Sequence, residues 1–279
     1  LIYCAIPPYP GDGPLRDMPG DTYSVAASMG VMADQGSGGS PVFVYLPVAS
    51  YSAAFTACFT VSSALYVREM EGIGQKVEVS LLHGALAMQT ASFVSGPGLT
   101  SRGGAQRQGI PVGIPVYRLF RAEEGWFFLA CGNNTFWNKL CIALGLEYLV
   151  EDERFRDAPW GIPPEHYEAL ADILEPIFLQ KPVDYWIRFL IEHDIPCASV
   201  RNREDFVHQA QVGLNSMMQD VQDPVLGTTS QLGVPLWMHG APGEVHGGTS
   251  GLGEHTDSVL MEIGYAEAEI MALRRMGVV

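Results

Sequence analysis

The sequence predicts an α/β fold, and three observations carry that expectation. From Pro41 to Val67 there is no Lys, Arg, Asp or Glu, and small residues recur through "LPVASYSAAF", so a long apolar helix is expected there. Behind it "KVEVSLL" alternates like a strand, with Val77 and Val79 on one face, and a second Ala-rich helix follows. Apolar helices on either side of a strand are the pattern of a sheet covered on its faces. Third, Ser95 to Pro115, "SGPGLTSRGGAQRQGIPVGIP", is dense in Gly and Pro and the chain changes character beyond it. A loop and a domain crossing are expected at that point.

Each element has its own justification. "LIYCAIPPYP" reads as a strand already in progress, and "VFVYL", Val42 to Leu46, as a further strand. Pro47 belongs outside the following helix, where Ser50 would serve as N-cap by accepting a backbone N–H bond. That helix runs to about Met70 and stops at the glycines of "EGIGQ". The second helix spans about Leu81 to Val94. After the Gly/Pro segment, "PVYRLFRAEEGWFFLACG" reads as two strands turning at Glu123–Glu124–Gly125. An amphipathic helix over Asn133 to Leu146 places Phe136, Leu140 and Leu144 on one face. "EHYEALADILEPIFLQ" and "PVDYWIRFLIEHD" are two more helices divided at Gln180–Lys181–Pro182, and "IPCASV" is a strand. The last third holds short strands in "DPVLGTTSQLGVPLWM", a Gly-rich loop, and a helical end.

Composition narrows the function classes. A chain of 279 residues buries roughly 75% of the surface it would expose unfolded. With 47% hydrophobic and 17% charged residues it is globular in composition. The net charge of −15 and a pI near 4.7, with no polybasic block, argue against a nucleic-acid partner. Cys4, Cys58, Cys131, Cys141 and Cys197 include no CxxC pair and read as reduced thiols of a cytoplasmic protein. The start lacks the basic residues and apolar core of a signal peptide, and it reads as beginning partway through a larger protein. Ser50, Ser52, Thr56, Thr60, Ser62 and Ser63 dilute the uncharged run, so a buried core helix is expected rather than a membrane span.

No GxGxxG, Walker loop, HExxH or GxSxG is present. His239 and His246 flank a Gly/Pro loop with Glu244 between them, a pattern that suits a solvated loop better than a metal site. His83, on an apolar helix, reads as a core histidine rather than a base.

Four stretches nevertheless carry a resemblance. They are "GDGPLRDMPGDTYSVAASMG", the segment from "LPVASYSAAF" through "EGIGQKVEVSLLHGALA", "DIPCASVRNREDFVHQAQV", and "GLGEHTDSVLMEIGYAEAEIMALRRMGVV". Their sequence and order resemble the family III CoA-transferases, the carnitine-dehydratase and bile-acid-inducible group. The resemblance implies a Rossmann-like large domain with an inserted small α+β domain, and two subunits threaded as interlocked rings. The expected division is 1–105 for the large domain, 106–193 for the small domain, and 194–279 for the return segment. It also implies a further N-terminal portion ahead of residue 1, supplying the first strands and much of the CoA-binding surface. In the family an aspartate heads the central helix, attacks an acyl-CoA thioester and becomes an enzyme-bound CoA thioester. Ser50 stands in that position, with Tyr51 next if the register slips by one, and Asp21 is the nearest upstream carboxylate. A helix N-terminus favours negative charge there. The family's mobile Gly-rich loop corresponds to "SRGGAQRQG", which offers Arg102, Gly103, Gly104 and Arg107 to a CoA phosphate or a carboxylate. The expected substrates are acyl-CoA and carboxylic acids, with CoA a substrate thioester and neither a separate cofactor nor a metal. The expected partner is a second copy, as an interlocked homodimer, or a heteromeric half that carries the aspartate; neither nucleic acid nor membrane is expected. The family's 2-methylacyl-CoA racemases need a His/Asp pair, and no convincing one is found.

Overall fold

The computed structural model of the protein describes residues 1–36, 40–89, 93–94, 96 and 114–279. It divides into two compact units, Leu1–Ser199 and Val200–Val279.

The first unit opens with strand β1 (Tyr3–Ala5), followed by α1 (Thr22–Ser28), α2 (Val31–Asp34), α3 (Val48–Glu71), β2 (Lys76–Glu78) and α4 (Leu81–Ala87). Strands β1 and β2 pair in parallel, Cys4 opposite Val77, which places the "KVEVSLL" strand beside the first residues of the chain. Helix α3 ends where Gly72 adopts φ +72°, a left-handed conformation that lets its N–H reach the Arg68 carbonyl. Helices α3 and α4 approach closely through small residues. A Cβ on Gly84 would collide with the Ala53 backbone, lying 2.7 Å from its Cα. Ala49, Ala53 and Ala85 are fully buried around that contact.

Three expectations are corrected here. "VFVYL" is not a strand: residues 41–45 form no ladder, and Val42, Phe43, Tyr45 and Leu46 are exposed. Alternating apolar residues become a strand only when a neighbouring backbone accepts their hydrogen bonds. Helix α4 stops at Ala87 rather than Val94. Helix α3 buries one face only, through Ala49, Ser52, Ala53, Ala57 and Ala64, whereas Tyr51, Phe55, Phe59, Tyr66 and Met70 are exposed. By length and composition α3 is the one helix among the described residues long and apolar enough to cross a membrane.

Beyond the Gly/Pro segment come β3 (Tyr117–Arg121), β4 (Trp126–Ala130), α5 (Asn134–Leu144), α6 (Tyr148–Glu151), α7 (Tyr167–Phe178), α8 (Val183–Glu192) and β5 (Cys197–Ser199). The strands form an antiparallel sheet in the order β3-β4-β5. Phe120, Phe127 and Leu129 point from its inner face into a core with Trp137, Leu140, Leu170, Leu174, Phe178 and Leu190. Asn133 starts α5 by accepting the Phe136 N–H at 3.0 Å. Arg118 is nearly buried and is held by Glu175 at 2.6 Å, by the Pro115 carbonyl, and by the Phe120 ring beneath it.

The second unit contains α9 (Arg203–Val207), α10 (Ala210–Leu214), an antiparallel hairpin of β6 (Met218–Asp223) and β7 (Gly227–Leu232), then α11 (Thr256–Glu262) and α12 (Glu267–Arg275). The Asp223 carboxylate accepts from the Val225 and Leu226 N–H groups and so builds the hairpin turn; these bonds hold its pKa below the ordinary value.

Candidate active site

Position 50 lies in the first turn of α3. Pro47, not Ser50, stands at the N-cap, and it offers no side-chain acceptor. Ser50 is the third residue of the helix, so its own N–H is one of the first-turn donors that no helical carbonyl can satisfy. The acceptor is instead Thr22 Oγ1 at 3.1 Å, supplied by α1 from 28 residues upstream. The expectation that Ser50 caps the helix is therefore corrected, because the N-cap lies three residues earlier, at Pro47.

The Ser50 hydroxyl differs from the other hydroxyls of α3. Ser52, Thr56, Thr60, Ser62 and Ser63 each donate to the carbonyl four residues back. At position 50 the residue four back is Leu46, outside the helix, and its carbonyl accepts from the Val48 N–H. Among the described residues the Ser50 hydroxyl has no hydrogen-bond partner, and the residue is half-buried.

The surroundings are built by α1 and the segment ahead of α3. The Asp21 carboxylate accepts from the Ser24 N–H at 2.8 Å and the Ser24 hydroxyl at 2.7 Å, and the Asp21 N–H donates to Ser24 Oγ in return. Those bonds, the backbone one first, hold its pKa below the ordinary value. Asp21 is thus occupied as a helix cap. Tyr23 donates its hydroxyl to the Tyr45 carbonyl at 3.1 Å, and its ring lies 5.1 Å from that of Phe43. The chain entering α3 is thereby tied to α1. Glu78, at the end of β2, accepts the Gly11 N–H at 2.9 Å and pairs with Lys76, which together lower its pKa.

Arg102, Gly103, Gly104 and Arg107 lie outside the described residues. His83 is exposed rather than in the core; its backbone N–H donates to Ser80, which caps α4. His239, Glu244 and His246 are all exposed, and among the described residues no three His, Cys, Asp or Glu side chains converge as a metal site. Burial pushes the Cys131 and Cys141 thiols up to about 12, so neither presents a thiolate near neutrality. The second unit carries a cavity of about 450 Å³ beside His255 and Val279 and another of about 380 Å³ beside Trp237 and Asn215. Sequence reasoning missed Thr22. Only its place in the "PGDTY" stretch of the resemblance hinted at it, since nothing local links residues 22 and 50.

The comparisons with known proteins agree on one family. The sequence profile described as CoA-transferase family III matches residues 1–256. An acyl-CoA transferase of Fusarium pseudograminearum is 27% identical over all of this chain, which spans 61% of that protein's length. A (R)-2-hydroxy-4-methylpentanoate CoA-transferase of Clostridioides difficile is 25% identical over 97% of the chain and 67% of its own. Among solved structures, a CAIB/BAIF family protein from Brucella suis superposes with a TM-score of 0.73 at 24% identity, covering 94% of this chain and 68% of that one, a likeness of fold. Matched over nearly its whole length, the chain belongs to CoA-transferase family III.

Proposed function

We propose that this chain acts on acyl-CoA thioesters and serves CoA transfer between carboxylic acids, with Ser50 in the place of the family's nucleophilic aspartate. The observation that carries the reading is the Ser50 hydroxyl, the one serine or threonine hydroxyl of α3 without a hydrogen bond among the described residues, at the helix N-terminus. The division into a large domain over 1–105 and 194–279 with an inserted small domain over 106–193, the interlocked dimer, the cytoplasmic location and the loop contacts of Arg102, Gly103, Gly104 and Arg107 belong to the same reading.

Serine changes the chemistry. Attack by Ser50 Oγ on the thioester carbonyl would release CoA thiol and leave an oxygen ester, which lacks the activation of a carboxylic anhydride towards returning thiolate. A hydroxyl is also a weak nucleophile unless a base stands beside it. Among the described residues no imidazole or carboxylate bonds to Ser50 Oγ. That favours a second form of the proposal, in which a partner half carrying the aspartate completes the reaction.

Mass spectrometry after incubation with acetyl-CoA or succinyl-CoA tests this. The native chain is expected to form no anhydride and to show very low transfer without a partner. Ser50→Asp is expected to fold, since the first helical turn tolerates a carboxylate well, and to trap hydroxylamine-sensitive acyl or CoA adducts at position 50. Full activity in both the native chain and Ser50→Ala would place the chemistry elsewhere.

A further inference from the structure

We infer that Thr22 is the positioning residue of this site: its hydroxyl fixes the main chain of residue 50 and keeps a proton that a carboxylate placed there would accept. The inference takes the location of the site from the reading above and adds to it a residue that sequence did not indicate.

Three observations carry it. The bond from the Ser50 N–H to Thr22 Oγ1, at 3.1 Å, is the one hydrogen bond between a side chain outside α3 and the main chain of α3 among the described residues. An accepting hydroxyl keeps its own proton and a second lone pair. The residue 50 side chain leaves the same Cα as the N–H already bound, and in the native chain the Ser50 hydroxyl leaves that proton untaken. Second, Thr22 is itself held. Asp21 and Ser24 close the capping box around it, and Tyr23 is tied to Tyr45, so the hydroxyl is presented from an anchored turn. β-Branching further limits its rotamers. Third, the Ser50 hydroxyl lacks the carbonyl partner that the other α3 hydroxyls use, so no bond within the helix ties down the residue 50 side chain.

A carboxylate at position 50 would accept the Thr22 proton in a charge-assisted bond, which favours its ionised form. The test uses the full chain bearing Ser50→Asp, alone and combined with Thr22→Ser or Thr22→Val, each labelled with carboxyl-¹³C aspartate and titrated by NMR. The introduced carboxyl is the signal absent from the native spectrum. Thr22→Val keeps the shape and removes the hydroxyl, so the midpoint is expected to rise by about one pH unit, a tenfold fall in the acid constant. Thr22→Ser is expected to retain the unsubstituted midpoint. Equal midpoints in all three chains overturn the inference. So does an equal rise with Ser and Val, which would mark packing rather than the hydroxyl. Should Thr22→Val unfold, Thr22→Ala is titrated in its place with the same expectation. Adduct formation plays no part in this outcome. A carboxyl that responds to Thr22 but never labels removes the transferase reading and keeps the positioning role, and one that labels yet ignores Thr22 does the reverse.

Discussion

Asp152 and Arg154 show how strongly two residues so close in sequence can set each other's chemistry. The Asp152 carboxylate accepts the Arg154 backbone N–H at 2.9 Å and the Nε–H and Nη2–H donors on one edge of its guanidinium, at 3.0 and 2.7 Å. The side-chain bonds first, then the backbone bond, hold its pKa at about 2 against an ordinary 3.8. A carboxyl depressed on folding contributes stability that is present above 3.8 and lost as pH falls through about 2. Arg154→Ala is therefore expected to return the Asp152 midpoint towards 3.8 by NMR titration, with no change in its charge at neutral pH. A midpoint that stays near 2 in the variant would show that the guanidinium is not the cause. Asp21 illustrates the same physics at the candidate site, since bonds to Ser24 keep it ionised and occupied.

At the scale of elements, the pairing of α3 with α4 rests on the absence of one methyl group. Gly84 lies against the Ala53 backbone, while Ser80 starts α4 by accepting the His83 N–H at 3.0 Å. Replacing a mid-helix glycine by alanine ordinarily stabilises a helix by about 1 kcal/mol. Here the added Cβ meets backbone, which cannot rotate away, so Gly84→Ala is expected to destabilise by about 1–3 kcal/mol in chemical denaturation, the range for overpacking. A stabilised Gly84→Ala would show that the helices separate without cost. The small residues along α3 thus serve close packing on one face. They do not make the helix buried all round, because its large residues are on the other face.

At the scale of the whole molecule, two surfaces call for cover. Strands β1 and β2 form a parallel pair of three residues each, and parallel ladders are ordinarily covered on both faces. Phe55 and Phe59 on α3 are 67% and 75% exposed, and Phe43 and Tyr45 extend the same apolar character ahead of the helix. Burying surfaces of this kind between subunits of an obligate dimer removes about 2,000–5,000 Å² in total. Light scattering at micromolar concentration is expected to give a mass near twice the 30.3 kDa of the chain. A stable monomer would count against the dimer part of the proposed function.

What the sequence determined by itself is the local punctuation and the family. Gly72 ends α3, Asn133 starts α5, and the Gly125 turn joins β3 to β4, because caps and turns are satisfied by residues a few positions away. What only the tertiary structure decided needed a distant partner. "VFVYL" has strand character but no ladder, His83 stands on an exposed face of α4, and the Ser50 N–H is met by Thr22 rather than by a cap of its own. Composition registers how apolar a segment is, whereas the neighbour that accepts a hydrogen bond or covers a face is chosen by chain topology. For that reason the candidate at Ser50 could be picked out from 279 letters, whereas the Thr22 hydroxyl that meets its N–H could not.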